Sequence, residues 1–346
     1  MSTETEKKEK LSVEGLDVLL EKSREIDLRC SDYIVKNAST HNVRLNDYAG
    51  LTFVGYNALL NETASIQKNL GLTRYSMSQL GTKLGVPARY LEKCINTGRL
   101  DLAQENVNSW LLDYNKDLLI REYAGSIRGI LSSKYSICDT TEVLETLDKN
   151  VDISQYKVKG SYLSPERFHL RLVDTEMLPI EGEDLFAGIT IDSSDVGRST
   201  LNINFLIYKQ VCTNGLIISK SSSNMFRQKH IGVNSDLFLK GLEESLNLVP
   251  LLKNEVCRMI EQTKYEDAPY NFKGLDNEEL ADLIARIKTT ANVSEDSVKK
   301  VIEIMNTDKY EPNRWGYINS LTDVAKGLTL EKRIELERYA STLLVA

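Results

Sequence analysis

From Val151 to Ser219 the chain takes up the rhythm of a β-sheet. Apolar residues fall at every second position in Phe168-His169-Leu170-Arg171-Leu172 and in Leu201-Asn202-Ile203-Asn204-Phe205. Successive side chains of a strand point to opposite faces, so this alternation predicts strands with one apolar face. Gly182, Gly188, Gly197 and Asn214-Gly215 punctuate the block. They predict hairpins, with Asn214-Gly215 as a tight turn because both residue types tolerate positive φ. After Ser235 the rhythm becomes helical. Leu237, Leu242, Leu246 and Val249 form one stripe, and Pro250 is expected to kink or restart that helix. Asp276 and Ser294 are suited to cap two further helices, and residues 330–344 form a last amphipathic one.

The N-terminal half is mixed. Residues 1–12 read as a charged tail, and Leu16, Leu19, Leu20 and Ile26 recur at helical spacing. Residues 51–60 are apolar around Gly55, consistent with a strand or a strand-to-helix turn. Residues 77–96 have helix-turn-helix spacing. Leu80 and Leu84 share one face, Gly85 can end the first helix, Pro87 suits the next, and Leu91 and Ile95 face back. Residues 118–131 read as two strands around Ala124-Gly125-Ser126, and Asp139 to Glu142 as a capping box. The expected fold is α+β, with a central antiparallel sheet, an N-terminal mixed part and a helical C-terminal part. The expected divisions are 1–36, 37–150, 151–235 and 236–346.

Several functions lose support at this level. No apolar run is long enough to span a bilayer, and Met1 to Lys10 lacks the apolar core of a signal peptide. We therefore expect a cytoplasmic protein, of a bacterial host on the resemblance described below, with no membrane partner. The five cysteines (Cys30, Cys94, Cys138, Cys212, Cys257) form no Cys-x-x-Cys pair, and His41, His169 and His230 lie far apart. Neither a zinc site nor any other metal site is expected. Phosphate-binding glycine patterns and the common hydrolase and kinase signatures are missing, so no cofactor is expected.

The formal net charge of −7 argues against a protein that coats nucleic acid over its whole surface. Yet Val196 to Ser235 contains Arg198, Lys209, Lys220, Arg227 and Lys229 and neither Asp nor Glu. Three readings of its core, Tyr208 to Gly232, stand side by side. It is a solvated turn-rich loop with Cys212 buried as a small apolar residue. Or Lys220, Arg227, Lys229 and His230 grip phosphates, aided by Ser221, Ser222, Ser223 and Asn224, while Tyr208 or Phe226 stacks on a base. Or Cys212 is a nucleophile with His230 as its base. Arg128 would add to a basic groove, and Arg89 and Lys93 would face DNA from the second helix of the helix pair. Asp192 and Asp195 either shape a turn or hold a hard cation. Trp110 and Trp315 read as core anchors.

Four segments in order resemble a phage- and plasmid-borne family, domain of unknown function 932. They are Gln79-Leu80 with Leu84-Gly85-Val86-Pro87 and Tyr90-Leu91, and Arg128-Gly129-Ile130-Leu131-Ser132 with Tyr135. Then come Val211-Cys212-Thr213-Asn214-Gly215-Leu216 with His230, and Ile318-Asn319-Ser320-Leu321-Thr322. Together they span about residues 75–345. The resemblance implies a gene carried on a mobile element and implies no established activity. The expected function is in DNA metabolism such as recombination, by non-catalytic binding of single-stranded nucleic acid. A host protein as partner, with a counter-defence or regulatory role, is the alternative, and a homo-oligomer is compatible with either.

Overall fold

A computed structural model describes residues 10–58, 65–152, 155–210, 214–218, 224–230, 234–307 and 309–344. Helix α1 (Leu16–Asp27) leads into β1 (Cys30–Ala38), β2 (Val43–Leu45), β3 (Gly50–Asn57) and β4 (Ile66–Leu72). Helices α2 (Arg74–Leu84), α3 (Ala88–Asn96) and α4 (Leu100–Leu111) follow, then the hairpin β5 (Lys116–Tyr123) and β6 (Ser126–Ser132). Most of the expected tail lies outside the described residues, but its end, Ser12, forms an antiparallel bridge to Ser161.

The first sheet closes on itself. β1 pairs with β5, β5 with β6, β6 with β4 in parallel, β4 with β3, and β3 returns to β1 through Tyr33↔Asn57 and Ile34↔Tyr56. Register shifts in β1 and β5 bend those strands toward closure. Gly55 explains the close approach of β3 to β1, because a Cβ there would meet the Ile34 carbonyl at 3.1 Å. The alternation in these strands sends Tyr33, Val35, Leu51, Phe53, Leu70, Leu72, Leu118 and Ile120 inward. Their core continues into Met77, Leu80, Leu84, Leu91 and Val107 of the three helices. The expected helix pair is present, with Gly85 at φ 71° ending α2. The β5–β6 turn places Ala124 and Gly125 at φ 49° and 84°, the double positive φ that a tight hairpin turn requires.

Next come α5 (Thr140–Asn150), β7 (Tyr156–Leu163), β8 (Phe168–Met177), β9 (Leu185–Ser193), β10 (Leu201–Lys209), β11 (Asn214–Ile218) and β12 (Asn224–Gln228). β7 to β10 form an antiparallel meander, and β11 and β12 share the free edge of β10. The chain ends in α6 (Ser235–Lys264), α7 (Asn277–Ala291), α8 (Glu295–Met305), α9 (Arg314–Ala325) and α10 (Leu330–Thr342). The α+β class and the helical C-terminal region are as expected. α1 and α5 pack into the core of this second sheet together with α6 to α9. Its other face is covered by Leu330 and Ile334 of α10.

Four expectations change. Asn214 and Gly215 are strand residues paired with Lys209 and Tyr208, not a turn. The glycine serves clearance instead, since a Cβ would sit 2.5 Å from Arg171 Nη1. α6 runs unbroken through Pro250, which lies on its exposed side while Phe238, Leu242, Val249, Val256 and Ile260 anchor the buried side. Trp110 is 60% exposed rather than a core anchor, whereas Trp315 is buried. The capping box at Asp139 does not form, because that carboxylate is engaged elsewhere. Asp276 and Ser294 do cap α7 and α8.

The barrel core sets a stability prediction. Phe53→Ala removes a fully buried ring and should lower unfolding free energy by about 3–5 kcal/mol in urea titrations. A loss below about 1 kcal/mol would mean that the barrel is not a packed core.

Candidate functional site at the seam between the two sheets

The outer wall of the barrel at β1, β5 and β6 meets the second sheet through the loop of residues 194–200, between β9 and β10. Strand alternation turns Arg121 of β5 outward into this seam, where it is 1% exposed. All five of its N–H donors find acceptors. Nε and Nη2 donate to Asp32 at 2.9 Å each, Nη1 and Nη2 to Asp139 at 2.7 and 2.8 Å, and Nη1 to the Asp195 carbonyl at 2.6 Å. Burial pushes the Asp139 carboxyl up, but Arg121 pulls it down further, so it ionises below the usual carboxylate range.

The loop is held from every side. Gln79 of α2 donates to the Val196 carbonyl at 2.8 Å and accepts from Ile130 N–H at 2.8 Å. Tyr135 O–H donates to the Ser194 carbonyl at 2.7 Å. Gly129 leaves room for Val196, whose Cβ would be 2.9 Å from any added Cβ. Asp195 accepts from Thr140 N–H and O–H through one oxygen. Its other oxygen lies 3.4 Å from Arg128 Nη1, which also donates to the Pro165 carbonyl at 2.7 Å. Burial, with Asp139 adding to it, pushes the Asp195 carboxyl up to about 6. His230 stacks on Tyr135 at 5.0 Å between ring centroids, and its carbonyl accepts from Ser136 N–H. Burial, then Arg121, lowers its pKa, so the ring is neutral at pH 7.

Gln79, Arg128, Gly129, Tyr135 and His230, which come from separate segments, thus meet around one loop. The remaining expected site residues scatter. Arg89 and Lys93 are exposed on α3. Arg198 bonds Glu166 at 3.2 Å and lies over the Tyr75 ring. Lys209 is paired with Glu183 at 2.6 Å, seven residues along β10 from the partner of Arg227 and hence about 23 Å away. Arg227 and Lys229 are exposed, while Arg128 and His230 are buried and so do not form an open basic groove. Tyr208 is buried in the face under α10 and Phe226 lies against Gly241, so neither is free to stack on a base. Cys212, Lys220 and Ser221 to Ser223 fall outside the described residues. Asp192 and Asp195 engage separate buried partners rather than one cation.

Asp192 belongs to a second polar cluster beneath α10. It accepts from His169 Nδ1 at 2.9 Å, and His169 Nε2 accepts from Arg171 Nε at 3.2 Å. Those two bonds require a neutral ring protonated on Nδ1, in keeping with burial lowering its pKa. Arg171 in turn forks onto Glu337 of α10 at 3.1 and 2.6 Å, with both side chains fully buried. Sequence reasoning missed Asp32 and Asp139 as partners of Arg121, and Glu337 as the partner of Arg171. The available signal was a charge inside an apolar strand, as in Leu118-Leu119-Ile120-Arg121.

The molecule is an α+β protein in which a closed barrel and an antiparallel sheet share a buried ionic seam. Residues 128–274 match the family model described as Domain of unknown function (DUF932), the family that the motifs resemble. No curated protein and no solved structure matches the chain. Among the described residues, no helix is long and apolar enough to cross a membrane.

The raised Asp195 carboxyl predicts a pH dependence. Between pH 4 and 6 the unfolded state releases this proton while the folded state keeps it, so this group's contribution to stability falls as pH rises. Wild-type protein should therefore lose stability relative to Asp195→Asn across that window in urea titrations. Parallel curves from pH 4 to 7 would refute the assignment.

Proposed function

We propose that this is a non-catalytic single-strand nucleic-acid-binding protein of mobile-element DNA metabolism, acting in processes such as recombination. The observation that carries the reading is the barrel's connectivity. Counting β1, β3, β4, β5 and β6 as strands one to five, the pairing order is 1-2-3-5-4-1. The third and fifth strands are parallel, and helices are inserted between the third and the fourth. That is the order of OB-fold barrels, which commonly take oligonucleotides across their second and third strands. A fold alone does not set its ligand, so the barrel wall must carry its own chemistry.

In this chain the second and third strands are β3 and β4. The wall at β1, β5 and β6 is occupied by the seam, but on β3 and β4 Val54, Tyr56, Gln67 and Asn69 face solvent, with Arg44 exposed on neighbouring β2. Tyr56 is 38% exposed and offers a ring for stacking. Segment 73–99 adds Arg74, Lys83, Arg89, Lys93 and Arg99 against a single acid, Glu92. The binding surface is thereby moved from the central sheet, whose two faces are covered, to the barrel wall. The phage or plasmid origin rests on the motif resemblance.

Fluorescence anisotropy with labelled oligo-dT tests the reading. Binding should weaken with salt at a log–log slope of about −2, corresponding to roughly three neutralised phosphates. Tyr56→Ala should weaken it about 5- to 150-fold, the worth of one stacked base. A larger loss in the Arg227→Ala/Lys229→Ala double variant than in Tyr56→Ala would place the strand on the β12 hairpin instead. No binding at low salt would end the proposal.

A further inference from the structure

Strand register sets the order of side chains on the outer wall of the barrel. Thr52 of β3 lies between Arg44 of β2 and Asn69 of β4, and Val54 lies opposite Gln67. Tyr56 follows Val54 on the same face, because side chains alternate along a strand. Successive rows are thus two residues, or about 6.8 Å, apart. Of the outward residues on β2, β3 and β4, Arg44 alone is charged, since Lys68 points inward with Phe53 and lies over the Tyr33 ring. Phosphates seek cations, and this wall offers one only at its β2 margin. A neutral strip beside an exposed ring suits bases, with the sugar-phosphate backbone toward Arg44.

One amide in this strip has a fixed orientation. Asn46 Oδ1 accepts from Tyr48 N–H and Gly50 N–H at 2.9 and 3.0 Å. An amide accepts only through its oxygen, so the other end of Asn46, Nδ2, is a donor. It donates to Asn69 at 2.5 Å, which makes the bonded atom of Asn69 its Oδ1. The end of this exposed residue left for a ligand is therefore Nδ2, which only donates. A free amide reads adenine with both ends, its oxygen accepting from N6 and its nitrogen donating to N7. The oxygen of Asn69 is held by Asn46, so that reading is closed, and adenine would set its N6 donor against another donor. Guanine has the same ring outline but carries acceptors at both O6 and N7. Gln67, in the next row, is held by no side-chain hydrogen bond among the described residues, so either end can turn outward and it sets no preference.

We propose that the barrel wall selects guanine over adenine at the position read by Asn69. The inference rests on strand binding at β3 and β4 and adds the base preference of that same site. The test is fluorescence anisotropy of the full chain, at low salt, with three labelled oligo-dT strands that differ at one central base: guanine, adenine or hypoxanthine. The guanine strand should bind at least about fivefold tighter than the adenine strand, the lower end of what a matched base contact gives. Hypoxanthine keeps O6 and N7 and lacks the N2 amino group, so its strand should match guanine. Asn69→Ala should abolish the preference. Asn69→Asp keeps an oxygen for Asn46 and turns the outward end into an acceptor, so it should reverse the preference toward adenine. Its added charge weakens both strands alike and cancels in their ratio, whereas a merely structural role would leave the ratio unmoved. Equal binding of the guanine and adenine strands, a hypoxanthine strand that follows adenine, or a guanine preference that persists in both variants would each overturn the proposal while leaving strand binding on the barrel intact. No binding of any strand would end both.

Discussion

The guanidinium of Arg121 is the contact on which the two halves of the molecule depend. An ion buried this deeply is tolerable only if every donor is met and its charge is compensated. Asp32 belongs to the barrel, Asp139 to the N-cap position of α5, and the Asp195 carbonyl to the loop of the second sheet. Satisfying one side chain therefore fixes three separate elements. The loss of a helix cap at Asp139 follows from the same demand, since a carboxylate shared with a buried guanidinium gains more there than at exposed backbone N–H groups.

The second sheet repeats the device in a different form. Its face under α10 carries His169, Arg171 and Asp192 where an apolar row would have sufficed, and Glu337 closes the network from the helix. Buried ion pairs are a poor source of net stability compared with apolar packing. What they provide is register, because a fork between Arg171 and Glu337 can be made in one placement of α10 only. Both faces of this sheet are thereby covered, and the open strand surface of the molecule lies on the barrel.

Much of this was legible in the residues. The alternation at Phe168–Leu172 and Leu201–Phe205 marked two sheet strands, and Gly85 and Pro87 marked the break between α2 and α3. Local rules failed where a distant partner outcompeted them. Asn214-Gly215 looks like a turn, but Gly215 is needed beside Arg171. Pro250 looks like a helix break, but the buried stripe on both sides of it holds α6 together. Barrel closure was invisible because β1–β3 rests on two residue pairs and β4–β6 pairs strands separated by three helices. The acid-free run suggested a basic surface, yet strand geometry disperses its cations, with Lys209 and Arg227 toward opposite ends of β10. The motif residues Gln79, Arg128, Tyr135 and His230 were visible individually, while their convergence on one loop required the fold.

In the proposed function a nucleic-acid strand lies on the outer wall of the barrel, away from the seam and from the second sheet. Hydrogen–deuterium exchange of the full chain with and without saturating oligo-dT measures this directly. New protection is expected in β3 and β4, residues 50–57 and 66–72, with the strands of the second sheet unchanged. Protection confined to residues 224–230, or none at a concentration where binding is complete, would contradict it.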